Sequence, residues 1–356
     1  MLEQALALRA SDVHLEPMAE GVEIRFRVDG VLQIMSSEPA AVGRAMITRL
    51  MVMGQLLTYR QDVPQEGRVS VALGGVPNEQ NGAAKPQAAG RVHELRIAVM
   101  PTTHGLRAVV RMPAELIQPR SLEQLDLPPR VLDSLRDFVR SDAGMLILTG
   151  PAGSGKTTTI YALLEYIAQA SPGVSIIALE DPVERDLPGV TQIEVSPFGQ
   201  LTYERALRSI LRQDPQVLML GEIRDAATAT LALQAAFSGH RLISTFHAST
   251  PAAAVARLLE MGLEPYQLTG ALFGIMNQRL VRRQDDHGGY RGRVPVAQLV
   301  RIDEPIRRAI LDRADADQLM RVMEKSGLAP LGEVARELVK RGVTDEDEVR
   351  RAGIVT

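Results

Sequence analysis

Apolar and polar residues alternate over Val22–Val28 (VEIRFRV), with Val22, Ile24, Phe26 and Val28 on one side and Glu23, Arg25 and Arg27 on the other. That period of two predicts a half-buried strand. Asp29-Gly30 behind it is a tight-turn signal leading into a second apolar run, VLQIM. Residues 40–57 (AAVGRAMITRLMVMGQLL) read as a helix, and RVSVAL (68–73) and RVHELRIAVM (91–100) read as strands. The Gly-, Pro-, Asn- and Ala-rich stretch 74–90 between those two is expected to be a long surface loop. Residues 1–112 therefore predict a small α+β domain. Residues 113–129, with four prolines, predict a linker.

After residue 129 the texture changes. MLILTG (145–150), SIIALE (175–180), VLMLGE (217–222) and RLISTFH (241–247) are short, mostly apolar runs. Between them TTTIYALLEYIAQA (157–170), YERALRSILRQ (203–213) and ATATLALQAAFSG (227–239) have helical spacing. Buried strands alternating with helices predict an α/β domain over 130–356, built on a parallel sheet with crossover helices. From about Pro251 the chain reads as mostly helical.

Composition narrows the chemistry. A chain of 356 residues fits two domains at roughly 150 residues each. It has no cysteine, which removes disulfides, thiolate metal sites and cysteine nucleophiles. A formal charge of −3 gives no global attraction to nucleic acid or acidic lipid. No run approaches the roughly 18 apolar residues of a membrane span, and the N-terminus lacks a signal-peptide layout, so a cytoplasmic location is expected.

The strongest chemical signal is Gly150-Pro151-Ala152-Gly153-Ser154-Gly155-Lys156-Thr157, which fits G-x-x-x-x-G-K-[ST] between a predicted strand and a predicted helix. Its glycines let backbone N–H groups converge on phosphate oxygens, and the helix N-terminus adds its positive end. Lys156 would reach the β and γ phosphates, and the Thr157 hydroxyl would ligate Mg²⁺. Glu222 follows the strand at 217–220, where a carboxylate can orient attacking water. Glu180 and Asp181 follow another strand and could hold metal-bound waters or share that work. His240 and His247 bracket the fourth strand. His14, His93, His104 and His287 have weaker claims, with no metal-ligand spacing among them.

These residues resemble, in fixed order, the four boxes of the type II secretion and type IV pilus assembly ATPases, a family of hexameric secretion motors. GPAGSGKTTT (150–159, which includes Thr158) looks like its Walker A segment and ALEDPVE (178–184) like its aspartate box. RSILRQDPQVLMLGEIRDAATA (208–229) is similar to its Walker B region, and SGHRLISTFHAST (238–250) to its histidine box. ASDVHLEP, VEIRFRVDGVL and VPQEGRVSV resemble its N-terminal PAS-like domain, and NQRLVRR and GYRGRVPVAQLV also fit. The resemblance implies a RecA-like ATPase core behind a smaller domain, assembled as a hexameric ring. It implies that Glu222 activates water, that His240 and His247 sense nucleotide, and that Arg96 and Arg111, with Arg68 as a further candidate, complete the site. Arg208, Arg212, Arg224 and Arg293 are candidates for subunit contacts.

The same resemblance implies ATP and Mg²⁺ as ligands and an inner-membrane platform protein as partner, with the motor peripheral at the inner face of the membrane. Only Gln284–Gly288 fills the gap where many members carry a four-cysteine zinc motif, so no zinc is expected. The family's longer N-terminal docking domain is likewise expected to be missing. Two other readings stay open. One is a pilus retraction motor. The other is a RecA-like motor on DNA, to which the cluster Arg279, Arg282, Arg283, Arg291 and Arg293 would contribute, although net charge and scarce aromatics favour no nucleic acid.

Overall fold

Six strands pair antiparallel in the first part of the chain: β1 (Asp12–Met18), β2 (Gly21–Val28), β3 (Val31–Glu38), β4 (Gln65–Leu73), β5 (Arg91–Thr102) and β6 (Gly105–Arg111). Their order is β3-β2-β1-β6-β5-β4. The alternation read at 22–28 is the reason for the layering. Val22, Ile24 and Phe26 turn inward with Val13, Leu15, Leu95, Ile97 and Val110, and meet Ile47, Leu50 and Met51 of helix α2 (Ala40–Met53). A short α1 (Leu2–Ala7) adds Ala5 to this core. On the outward face, register sets Arg68 opposite Arg96, and Arg96 opposite Arg111. Asp12 continues the row beside Arg111.

The computed structural model describes residues 1–73, 91–113, 121–195 and 201–355. It divides into two compact units, Met1–Gln118 and Pro119–Thr356. The loop expected at 74–90, and residues 114–120 of the expected linker, lie outside the described residues. The rest of that linker holds a single 3₁₀ turn at Glu123–Leu125, and α3 (Pro129–Arg140) begins at its last proline.

The second unit is α/β. Its strands are β7 (Gly144–Thr149), β8 (Ile176–Glu180), β9 (Thr191–Glu194), β10 (Val217–Leu220), β11 (Arg241–Phe246), β12 (Leu272–Gln284) and β13 (Tyr290–Arg301). They form one sheet in the order β13-β12-β7-β11-β10-β8-β9, parallel from β12 to β9, with β13 antiparallel to β12. The four apolar runs named above are β7, β8, β10 and β11, and they are buried almost throughout. Both faces are covered, as parallel sheets require. Residues of α3 and α4 (Lys156–Ala170) pack on one face. The other face meets α5 (Tyr203–Ile210), α6 (Ala226–Phe237), α7 (Pro251–Glu260), α8 (Pro265–Ala271), α9 (Glu304–Leu311) and α10 (Ala316–Lys325). Side chains of Thr202, Asp225, Thr250, Asp303 and Asp315 accept backbone N–H groups and start five of those helices.

The expectation of a mostly helical segment after Pro251 is corrected here. β12 and β13 form a hairpin of 13- and 12-residue strands, and β12 extends the parallel sheet beside β7. Leu272–Met276 is nearly all apolar because that stretch is covered on both faces, and such a run has no period to tell strand from helix. Further along, Val281, Val294 and Val296 pack against α11 (Leu331–Lys340) and α12 (Glu346–Arg351).

A buried charge fastens α12 to β12. Glu348, 2% exposed, accepts from the Arg282 backbone N–H at 3.2 Å, from the Arg282 guanidinium, and from Arg351 at 2.8–3.0 Å. Burial works against its charge, but the hydrogen bonds from Arg282 and Arg351 outweigh it and bring its pKa down to about 2. A depressed carboxylate pKa stabilises the fold above the ordinary value of 4.5, and that stabilisation is lost as pH falls toward 2. Glu348→Ala is expected to cost about 3 kcal/mol in urea unfolding at pH 7. The difference from wild type should shrink at pH 3; an equal difference at both pH values would show that the carboxylate charge is not what fastens α12.

Candidate active site

Parallel strands deliver their following loops to one edge of a sheet, and the spatial order β7-β11-β10-β8 sets four of the predicted segments side by side. The loop 150–155 leaves β7, His247 leaves β11, Glu222 leaves β10 and Asp181 leaves β8. Gly150, Gly153 and Gly155 have φ of +141°, +73° and +86°, a region that glycine enters without a Cβ penalty. With Pro151, Ala152 and Ser154 they form the turn that opens α4 at Lys156, so Thr157 and Thr158 sit in its first turn. Lys156 Nζ donates to the carbonyls of Gly150 and Pro151, both at 2.9 Å. Burial lowers the Lys156 pKa; nearby Glu222 opposes this shift and Arg279 reinforces it.

Glu222 is held from two sides. His247 Nε2 lies 2.9 Å from its Oε1, and Arg224 Nε donates to its Oε2 at 2.8 Å. Arg224 also faces Asp181 Oδ2 at 3.9 Å. The backbone under this cluster is tied across strands: Ile223 N–H donates to Thr245 O at 3.2 Å, and Thr245 Oγ1 donates to Gly221 O at 2.6 Å. Arg257 donates to the His247 carbonyl at 2.8 Å and anchors the loop that carries the imidazole. A carboxylate so placed, within electrostatic reach of the loop lysine, is positioned to accept a proton from water attacking a bound phosphate.

Two predicted site residues of the second unit are not part of this cluster. Glu180 is 3% exposed, and its two oxygens accept from Tyr161 Oη and from Gln192 Nε2 (2.8 Å). Burial raises its pKa, and it serves as a packing acid between β8, β9 and α4. Asp181, one residue on, is the acid turned toward Arg224. His240 precedes β11 whereas His247 follows it, so about 20 Å of strand separates the two. His240 Nδ1 lies 2.8 Å from Ala235 O and closes the end of α6.

The remaining candidates are placed as follows. Arg68 pairs with Glu94 at 3.0 Å and Arg111 faces Asp12 at 3.5 Å, in the outward row of the first unit, where Arg96 is half-buried between them. Arg208 pairs with Glu204 along α5. Arg282 and Arg283 are engaged by Glu348 and Asp126.

Three consecutive residues of β12 lie outside the glycine-rich motif yet bond to the segments around it. Asn277 Nδ2 donates to Thr149 Oγ1 (2.8 Å) and Ser249 O (2.9 Å). Gln278 Nε2 donates to Ser154 O (2.8 Å), and its Oε1 accepts from Thr159 Oγ1 (2.9 Å). Arg279 Nη1 donates to the backbone O of Gln278 (3.2 Å). Two amides inside the run LFGIMNQRLV are a signal in themselves, because a polar side chain buried among apolar neighbours needs a partner.

Known proteins resemble this chain over nearly its whole length. The family model described as "Type II/IV secretion system protein" matches residues 1–351. A type II secretion system protein of Pseudomonas aeruginosa, HxcR, is 35% identical over 99% of this chain and 75% of its own length. The type II secretion system ATPase E of Vibrio cholerae is 33% identical over 99% of this chain and 73% of its own. The Thermus thermophilus type IV pilus assembly ATPase PilB is 32% identical over 98% of this chain but only 42% of its own. Among solved structures, the pilus retraction motor PilT with bound ADP superposes with a TM-score of 0.68 at 26% identity, covering 99% of this chain and 95% of that one. The Legionella pneumophila ATPase DotB, at 20% identity, shares the RecA-like fold with a TM-score of 0.74 over 98% of this chain and 93% of its own. The chain belongs to the type II/IV secretion system protein family.

Proposed function

We infer that the protein is an ATP-hydrolysing motor of type II secretion or type IV pilus assembly. The observation that carries this reading is the Glu222 carboxylate, fixed by His247 and Arg224 at the same sheet edge as the Lys156 loop. The loop amides and Lys156 bind the β and γ phosphates, and the glycine backbone leaves room for their close approach. The Thr157 hydroxyl is the residue suited to hold Mg²⁺, which supplies charge neutralisation on the phosphates. Glu222 aligns the attacking water and takes its proton, and His247 keeps that carboxylate in register. Catalysis is then positioning plus electrostatics.

The outward arginine row around Arg96 and Arg111 supplies cations of the type that offset charge on a transferring phosphoryl group. Assembly as a hexameric ring acting on an inner-membrane platform protein completes the proposal, with family membership in its support. Pilus retraction is a second reading, with the structural likeness to PilT at 26% identity as its support.

Glu222→Gln is expected to keep ATP binding and lower turnover by about 10²-fold or more, measured by phosphate release on the oligomer. Undiminished hydrolysis would remove Glu222 from the mechanism. His247→Ala should leave nucleotide affinity unchanged and reduce kcat by roughly 10-fold to 10²-fold, the scale of a misplaced catalytic group. A KM change at constant kcat would instead make His247 a substrate-binding residue.

A further inference from the structure

We propose that Gln278, on β12, is the positioning residue that orients the phosphate loop by holding one of its peptide groups in a single rotational state. The proposal rests on the ATPase reading above and assigns that site a part outside its sequence motif. Gln278 is 2% exposed. Its Nε2 donates to the Ser154 carbonyl at 2.8 Å. A trans peptide unit is planar, with its C=O and the following N–H pointing in opposite directions. Pinning the Ser154 oxygen inward, against the sheet, therefore turns the Gly155 N–H outward, to the side where phosphate oxygens would be met.

Without that hydrogen bond, little in the chain itself would resist rotation of this peptide. Gly155 has no side chain and sits at φ +86°, and Gly153 one residue before Ser154 is at +73°. The glycines that free the loop for phosphate binding also free it to turn the wrong way. Gln278 restores the lost constraint from outside the loop. Its fit is close: a Cβ on Gly155 would lie 2.8 Å from Gln278 Nε2, and one on Gly150 would lie 2.4 Å from the Gln278 carbonyl oxygen.

The carboxamide is itself oriented. The Thr159 hydroxyl, one turn into α4, donates to Gln278 Oε1 at 2.9 Å, so the NH₂ end is left to face Ser154. A carbonyl oxygen only accepts, which makes the opposite orientation a buried clash of two acceptors. The chain Thr159–Gln278–Ser154 thus sets the direction of a backbone N–H that none of the three side chains would touch in the bound state.

The test uses the full chain, with Gln278→Leu and Gln278→Glu beside wild type, and reads steady-state ATP hydrolysis together with binding of a fluorescent ADP. Gln278→Leu leaves the Ser154 oxygen buried and unpaired. The expected result is about a tenfold rise in both the ADP Kd and the ATP KM, with kcat changed far less. Gln278→Glu has the same shape but, when ionised, no donor. It should show the same loss at pH 8 and recover toward wild type at pH 6, because burial raises the new carboxyl's pKa and its protonated form regains an O–H donor. General loosening of the fold would not produce that pH-dependent recovery. Wild-type Kd in both variants, a kcat loss at unchanged KM, or a Gln278→Glu defect equal at the two pH values overturns the proposal. If Gln278→Leu does not fold, the pH comparison on the isosteric variant decides alone. A wild-type chain that binds no nucleotide would defeat the ATPase reading and this one with it, whereas a normal wild type with unaffected variants defeats only the role of Gln278.

Discussion

Parallel pairing of β7, β11, β10 and β8 sends their following loops out at one edge of the second unit's sheet. Everything chemical in that unit is downstream of this constraint. A parallel strand must return through a crossover, so segments distant in sequence arrive as neighbours in space. Lys156, Glu222, His247 and Asp181 span ninety-two positions, 156–247, yet occupy adjacent strand ends. Within that edge Asp181 faces Arg224 and Glu180 is buried against Tyr161 and Gln192, while Glu222 contacts both a histidine and an arginine.

Much of this is legible in the amino-acid sequence. Short apolar runs bounded by polar residues mark β7, β8, β10 and β11, because a strand covered on both faces has no polar side to show. The loop was legible for a different reason: backbone angles that exclude side chains demand glycine at fixed intervals. What escaped was whatever depends on which side of a strand a residue leaves. Glu180 and Asp181 are adjacent, but Glu180 is the last, buried residue of β8 whereas Asp181 lies in the bend after it, and only the second reaches Arg224. His240 and His247 are close in sequence, but the strand between them carries one to each end of the sheet.

The β12–β13 hairpin escaped for a third reason. Its first five residues are nearly all apolar, with no alternation until the strand leaves the core. The amides of Asn277 and Gln278 lie where that change occurs. In the sheet Gln278 crosses from β12 to the Ser154 carbonyl of the loop after β7, and Asn277 reaches Thr149 at the end of β7 and the Ser249 carbonyl after β11.

Gln278 and Arg282 lie four positions apart on the same strand, one end tied to the nucleotide loop and the other fastened to the last helix of the chain. Between those two residues β12 is paired with β13, its pairing with β7 having ended at Asn277. The two fastenings lie about 13 Å apart along the strand. A displacement of the loop held by Gln278 would therefore have a route to α12 through four residues of one paired strand.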